Sequence, residues 1–401
     1  MWRALRQASS TTTEPTAFRV LRLVREATPI SRTEIAHRCR LSKPTVSDIV
    51  NRFLEFGVIQ SRGEAPSSAR GGRRRELLEF NPQAGHVIGI DIRMNEAVIA
   101  ATDLNANILD RESIPHRTGS APAEVLEKLT HTINRFFDSG LLSRERTVGI
   151  GIGLPGLIDR VSGVVRVADT LAGWEGARLR DIFEARFGIP VSVENDVKTR
   201  TLAEVLFGRG RSIRDQVFLW IGDGIGAGII IDGRLHHGIT ESAGEVGYNA
   251  ILGTGDFPLL YAGQRDFGEI LSDASVVRAY ARHAASREVL SIHEIFRESE
   301  AGNPLAVRLL EEVAHLTSIV CINLINTLNP EVIIVGGKIA AEADYVLGRI
   351  QERVREDILS VPAHAARIVP ASFHEDGVIL GAAGLVLYDL FMPAREEYLL
   401  S

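Results

Sequence analysis

Three stretches of the sequence carry side chains whose types and spacing suit recognition chemistry. In the first, Ser42-Lys43-Pro44-Thr45-Val46-Ser47 leads to Asn51-Arg52, while Val46, Ile49, Val50, Phe53 and Leu54 recur at helical spacing on the opposite face. Hydroxyls and amides meet base edges, cations meet phosphates, and a helix start favours negative charge. Such a segment fits the major groove of duplex DNA, with Ser42, Lys43, Thr45, Ser47 and Arg52 as the expected contacts. In the second, a Gly/Ser/Pro loop over residues 63–74 ends in Arg70-Gly71-Gly72-Arg73-Arg74. The planar forks of Arg73 and Arg74 suit a minor groove or a phosphate clamp. In the third, Val191-Ser192-Val193 runs into Glu194-Asn195-Asp196. Ligands of α/β proteins bind beyond the carboxyl ends of strands, and carboxylates and amides pair with vicinal hydroxyls. Asn195 and Asp196 are therefore candidate sugar contacts, and Asp196 is equally placed to cap a helix starting at Val197.

Positioning the first two stretches requires a small helical bundle with a hairpin. A helix over residues 15–27 carries Phe18, Val20, Leu21, Leu23 and Val24. A second opens on Ser31-Arg32-Thr33-Glu34, the spacing of a capping box, and runs to about Arg40. The third starts after its cap Ser42, tolerates Pro44 in its first turn and stops at Gly57. Residues 58–62 and 75–80 read as two strands joined by the arginine-tipped loop, which completes a winged helix-turn-helix over residues 15–82. Charge agrees with this division. Residues 1–82 hold 15 Lys and Arg against 8 Asp and Glu, leaving 30 against 43 for the rest of a chain whose net charge is −6. A basic head on an acidic body is the asymmetry expected when the head alone meets a polyanion.

The body opens with Val87-Ile88-Gly89-Ile90-Asp91-Ile92, a buried-strand signal. Further strands follow at 96–103 and after Asn105-Ala106-Asn107, then a helix at 121–137, then a strand at 148–153 entering Leu154-Pro155-Gly156. Val217-Phe218-Leu219-Trp220-Ile221-Gly222 starts the same layout again, turning at Asp223-Gly224-Ile225-Gly226 and at Asp232-Gly233. Two copies of strand-turn-strand-turn-strand, each followed by helices, imply two similar α/β lobes with a cleft between them. Residues 307–328 read as a long core helix containing Cys321, 332–337 as a buried strand and turn, and Gly381-Ala382-Ala383-Gly384 as the small-residue start of a final helix. The lobes are expected at 83–206, with 380–401 returning to it, and at 207–379.

Taken together, Gly153-Leu154-Pro155-Gly156, Gly173-Trp174, Glu194-Asn195-Asp196, Gly222-Asp223-Gly224-Ile225-Gly226-Ala227-Gly228, Ala243-Gly244-Glu245-Val246-Gly247, Asn329-Pro330-Glu331 and Val335-Gly336-Gly337 resemble the ROK family of repressors, open reading frames and kinases. The resemblance implies the two-lobed actin/hexokinase-like (ribonuclease H-like) sugar-kinase fold behind the winged helix-turn-helix. It implies that Asp196 stands where kinase members have their catalytic base, that Asn195 and Glu245 bind sugar, and that Glu269 matches a further sugar-binding glutamate. It also implies self-association as a homodimer or homotetramer, with double-stranded operator DNA and a sugar or sugar phosphate effector as partners.

The departures from the family pattern matter as much. Kinase members place a glycine-rich phosphate loop where this sequence has Asp91-Ile92-Arg93-Met94-Asn95, and Asp223 puts a carboxylate into the second loop. Glycines let backbone amides approach a triphosphate, whereas bulky side chains and a like charge oppose it. Kinase activity is therefore expected to be absent, with an ATP-dependent sugar kinase carrying a fused head as the alternative, and the remaining glycines are expected to serve a tight hairpin. Tyr248 stands where the family's zinc site has histidine, and residues 249–268 contain no cysteine, so no metal and no cofactor is expected. His236 and His237 read as solvated. No apolar run approaches the roughly 20 residues that a membrane helix needs. Residues 1–14 read as a disordered lead-in, and the two distant cysteines, Cys39 and Cys321, fit a reducing cytoplasm better than a disulfide framework.

Overall fold

The structure, a computed structural model, describes residues 16–64, 75–250, 257–261, 263–284, 291–338, 344–357 and 366–391. The expected lead-in and the loop carrying Arg73 and Arg74 lie outside the described residues. In the head, α1 (Thr16–Glu26) buries Phe18, Val20, Leu21 and Val24. After β1 (Ile30–Ser31), α2 (Arg32–Cys39) begins with Ser31 Oγ accepting from Glu34 N at 3.3 Å. That is half of the expected capping box. The Glu34 carboxylate instead accepts from Arg38 Nη2 at 2.5 Å, one turn along the exposed face. Helix α3 (Lys43–Glu55) is capped by Ser42 Oγ, which accepts from Thr45 N at 3.2 Å, and buries Val46, Val50 and Phe53, with Ile49 and Leu54 half-buried. Gly57, at φ 68°, turns the chain into β2 (Ile59–Glu64). Strand β2 pairs antiparallel with β3 (Glu76–Phe80), Ile59 opposite Phe80, and β1 pairs with the other edge of β3.

The body repeats one topology. Strands β4 (His86–Ile92), β5 (Glu96–Asp103) and β6 (Ile108–Pro115) form an antiparallel meander. Helix α4 (Pro122–Asp138), β7 (Thr147–Leu154), β8 (Leu157–Asp159), β9 (Val164–Val167), α5 (Leu179–Phe187) and β10 (Val191–Asn195) follow, and the first sheet is ordered β10-β7-β4-β5-β6. Helix α6 (Asp196–Phe207) leads into a second meander of β11 (Gln216–Ile221), β12 (Ile225–Ile231) and β13 (Arg234–His236). Next come α7 (Phe267–Leu271), α8 (Asp273–His283), α9 (Ile292–Glu300), α10 (Pro304–Leu328), β14 (Val332–Gly336), α11 (Asp344–Asp357), β15 (Arg367–Pro370) and α12 (Gly377–Phe391). The second sheet, β13-β12-β11-β14-β15, has the connectivity of the first, as the duplicated sequence pattern implies. Strands β7 and β14 are buried along their whole length, which accounts for their unbroken apolar runs.

Two compact units emerge. One contains the head, the first sheet and the last helix from Ala382; the other runs from Asn195 to Gly381 with Pro155–Asp159. A first lobe ending at residue 206 would hold α6, yet α6 falls in the second unit. Its Val197 packs with Phe218 and Ile334 on one face of the second sheet, while Leu219, Ile221 and Val335 on the other face join Leu309, Val313 and Val320 of α10. Close approach by α6 depends on glycines. A Cβ at Gly228 would lie 1.7 Å from Thr201 Oγ1, and one at Gly226 would lie 3.2 Å from Val197 Cγ2.

This packing separates the glycines of the 222–228 run by role. Gly228→Ala should lower stability by about 1–3 kcal/mol through overpacking. Gly224→Ala, whose Cβ would meet nothing within 4 Å, should change it by no more than about 0.5 kcal/mol. Urea unfolding of the two variants measures both, and equal losses would contradict this assignment of roles.

Candidate nucleic-acid interface and ligand site

On α3, Ser42, Lys43, Thr45, Asp48, Asn51 and Arg52 are exposed. Ser42 and Thr45 are also joined to each other, Oγ to Oγ1 at 2.7 Å, so the two hydroxyls present a fixed pair at the helix start. Ser47, expected on the outer face, is half-buried. The reason is Arg32, which the sequence reading did not single out. From the first position of α2 its Nη1 donates to Ser47 O and Ser47 Oγ, both at 3.3 Å, and to Asn51 Oδ1 at 2.8 Å. Its Nε donates to Glu76 Oε2 at 3.3 Å on β3. One guanidinium therefore ties the reading helix to a strand of the wing hairpin. Among the expected contacts, Lys43 and Arg52 keep exposed cationic ends, while Arg73 and Arg74 lie outside the described residues.

The second unit gathers the carboxylates. Asn195, not Asp196, is the cap of α6: its Oδ1 accepts from Val197 N at 3.0 Å and Lys198 N at 3.2 Å. Its Nδ2 donates to Gly156 O at 3.1 Å and to Asp196 Oδ1 at 3.2 Å. With both ends of the amide engaged, Asn195 orients its neighbour. Asp196 is the first helical residue, half-buried. Burial holds its carboxyl above the usual carboxylate range and the charge of Asp223 adds to this, whereas Arg200 one turn on works against it. Arg200 is fixed in turn, its guanidinium 3.8 Å from the Trp220 ring centroid and donating to His374 O at 2.9 Å.

Glu245 precedes a 3-10 turn at Val246–Tyr248 and is half-buried. Gly244, at φ 91°, brings the backbone so close to β12 that a Cβ would lie 1.8 Å from Ala227 O. Helix α7 packs beside the 3-10 turn and carries Glu269, whose Oε2 accepts from Arg265 N at 2.9 Å. Glu269 is exposed. Two further acids belong to this unit: Asp223, read from the sequence as the carboxylate of the second glycine loop, and Asp273, which nothing in the sequence marked. Asp223 sits exposed in the β11–β12 turn, closed by Gly222 N donating to Gly224 O at 3.0 Å. Asp273, buried at the start of α8, donates its backbone N–H to Gly222 O at 2.8 Å and pairs with Lys338 Nζ at 3.2 Å. No local spacing marks Asp273 or its nearness to Asp223, because a turn and a helix start separated by fifty positions meet only in the fold.

The stretch expected to be a degenerate phosphate loop is a plain hairpin turn in the first unit. Arg93 donates to Asp91 Oδ2 and Glu96 Oε1, each at 2.7 Å, and Ser113 Oγ donates to Glu96 Oε2 at 2.7 Å. Met94 and Asn95 are exposed. Tyr248 is also exposed, as is His236, while His237 is half-buried. Among the described residues no group of three or more His, Cys, Asp or Glu is arranged to hold a metal. Both cysteines are buried and unbridged, and burial pushes the Cys321 thiol up to about 12. No described helix is long and apolar enough to cross a membrane.

A family model described as the ROK family matches residues 87–388. The chain belongs to the ROK family. A second model, the MarR family, matches residues 14–65, which contain α1 to α3 and β2. Across 381 residues this ROK protein is 28% identical to the xylose repressor of Caldicellulosiruptor bescii, covering 92% of this chain and 95% of that one. It is 30% identical over 340 residues to the DNA-binding transcriptional dual regulator NagC of Escherichia coli, covering 82% of this chain and 81% of that one. Among solved structures, a ROK family transcriptional regulator described as a homologue of the E. coli Mlc protein superposes with a TM-score of 0.79 at 25% identity, covering 94% of this chain and 96% of that one.

Two outcomes follow from these geometries. Arg32→Ala should cost about 1 kcal/mol of stability. It should weaken duplex binding without changing the dependence of affinity on log salt, since Arg32 is bonded inside the head rather than to phosphate; a shallower salt slope would show that it touches DNA. For Asp196, a folded pKa raised above the unfolded value means that ionisation costs stability as pH rises through the folded pKa. Asp196→Asn should therefore melt higher than the parent chain at pH 7, with the gain shrinking as pH falls into the ordinary carboxylate range. Thermal unfolding across pH measures this, and a variant less stable at pH 7 would contradict it.

Proposed function

We propose that this ROK protein is a cytoplasmic transcriptional repressor of carbohydrate genes, which reads operator DNA with α3 and the wing and takes a sugar as effector in its second unit. The observation that carries the DNA half is the head itself: a capped, amphipathic α3 with exposed Ser42, Lys43, Thr45 and Arg52, locked by Arg32 to a wing hairpin whose tip in the sequence holds Arg73 and Arg74. The names of the relatives support repression and a carbohydrate signal. Self-association into a dimer or tetramer would pair two such heads on half-sites. Ligand binding would shift the population of head arrangements and so the operator affinity.

The effector half rests on Asp196, Glu245 and Glu269, with Asn195 as the residue that fixes Asp196. Their surroundings favour an unphosphorylated sugar. A phosphate monoester brings a charge of about −1.5 to −2 to a region that already contains Asp223 and Asp273. Its cations are committed: Lys198 Nζ donates to Glu241 O, Arg200 is held by Trp220 and His374, and Lys338 by Asp273. The positive starts of α6 and α8 carry the chain's own Asp196 and Asp273. Phosphoryl transfer fits this body poorly, because Arg93 closes the first loop with its own carboxylates and Gly226 and Gly228 of the second run are occupied by packing against α6. We therefore propose no kinase activity.

The test is thermal unfolding with D-xylose, D-glucose, N-acetylglucosamine and glucose 6-phosphate at matched concentrations. A neutral sugar should raise the midpoint, the phosphate should not, and Glu245→Gln should abolish the response. A response to the phosphate alone would overturn the effector class, and no response to any sugar would count against the effector reading itself.

A further inference from the structure

Three described helices end on a residue in the left-handed region: α5 on Gly188 (φ 63°, ψ 21°), α10 on Asn329 (φ 47°, ψ 54°) and α2 on Arg40 (φ 53°, ψ 46°). Glycine has no Cβ to strain there, and asparagine tolerates the conformation through its short polar side chain. Arginine has neither advantage. The conformation is required of the backbone, since it lets Leu41 N reach Ala36 O at 2.9 Å and Arg40 N reach His37 O at 3.3 Å, closing α2 and directing the chain to Ser42, the cap of α3. Main-chain atoms alone make these bonds, so a glycine would make them without the strain. Nothing in the folding of the turn calls for a guanidinium.

The side chain is exposed, and among the described residues it has no hydrogen-bond or ion-pair partner. That sets it apart from Arg19, Arg32, Arg38 and Arg62 of the same head and groups it with the exposed Lys43 and Arg52. Arg19 donates to Cys39 O at 2.8 Å, Arg38 to Glu34 at 2.5 Å, Arg32 bridges α3 and β3, and Arg62 pairs with Glu79 at 3.5 Å. Arg40 lies two residues before the α3 cap and three before Lys43, in the turn between the two helices of the helix-turn-helix. In such motifs the second helix enters the major groove and the first crosses the backbone, so the turn faces phosphate rather than base edges. Backbone strain kept without an internal contact to justify it points to function.

We propose that Arg40 is a phosphate-binding residue of the head, its guanidinium gripping the DNA backbone at the entry of α3 beside Lys43. The proposal rests on the DNA-binding reading above and adds a contact that lies off the recognition helix. Because the contact is to phosphate, it carries no sequence preference, and it can be tested on DNA of any sequence.

The experiment uses the full chain and a random-sequence duplex of about three helical turns, with affinity measured by fluorescence anisotropy over a range of salt concentrations. Arg40→Gly should fold at least as stably as the parent, bind roughly three- to ten-fold more weakly at low salt, and show a log–log salt slope shallower by about 0.9, the value for one lost phosphate contact. Arg40→Lys keeps the charge and the strained backbone, and should retain the parent slope. Arg40→Gly binding with parent affinity and slope would overturn the proposal, as would weaker binding at an unchanged slope, which would assign the loss to turn geometry. A parent chain without measurable duplex binding at low salt would overturn the DNA reading itself.

Discussion

Helix α6 can lie on β12 because positions 226 and 228 have no side chain, and the proposed ligand site is arranged around that contact. With Thr201 and Val197 pressed toward those two glycines, the start of α6 is fixed at the end of β10, and Asp196 is held there by the amide of Asn195. The same strand receives a second close approach. Strand β13 pairs with β12 over Ile229–Ile231, so Ala227 N is left to bond Gly244 O at 2.7 Å, and that bond places Glu245. Strand β12 thus serves as a post to which a helix and a turn are fastened. Its glycine pattern persists for reasons of packing, and the presence of the pattern says nothing in itself about nucleotide.

Electrostatics in the second unit follow from where the helices begin. A helix start is the natural place for an anion, yet α6 and α8 each begin with a carboxylate of the chain; burial raises the pKa of both, and Asp223 lies close enough to add to it. The site is thereby supplied with acceptors. Hydroxyls can satisfy acceptors, whereas a further anion adds repulsion where the nearby cations already have partners. Asp273 Oδ1, buried and without a hydrogen-bond partner among the described residues, belongs to the same surplus of acceptors.

What could be read from sequence was local. Ser42 as a cap, Pro44 in the first turn, Gly57 at a positive φ, and the repeated strand-turn-strand layout all depend on neighbours a few residues away, and each has its structural counterpart. What escaped depends on partners far along the chain. Arg32 reaches Glu76 across forty-four positions, and α6 chooses the second sheet through Gly226 and Gly228. Asn195 and Asp196 show where the two meet. The motif marks the pair, but which of them caps the helix and which is left to meet a ligand is decided by backbone geometry at the strand end, and composition carries no trace of it.

The same distinction governs how charge in the head is to be understood. Seven excess positive charges over residues 1–82 describe a solvated basic domain, not a reading surface. Arg19, Arg32, Arg38 and Arg62 are spent on carbonyls and carboxylates of the head itself, and Arg32 spends its charge on rigidity, joining α3 to the wing strand through Ser47, Asn51 and Glu76. With reading helix and wing so joined, neither can adjust to a ligand signal alone. Under the proposed function, control of DNA affinity by an effector would act on the placement of whole heads, and the spacing between paired heads would be the variable a sugar changes.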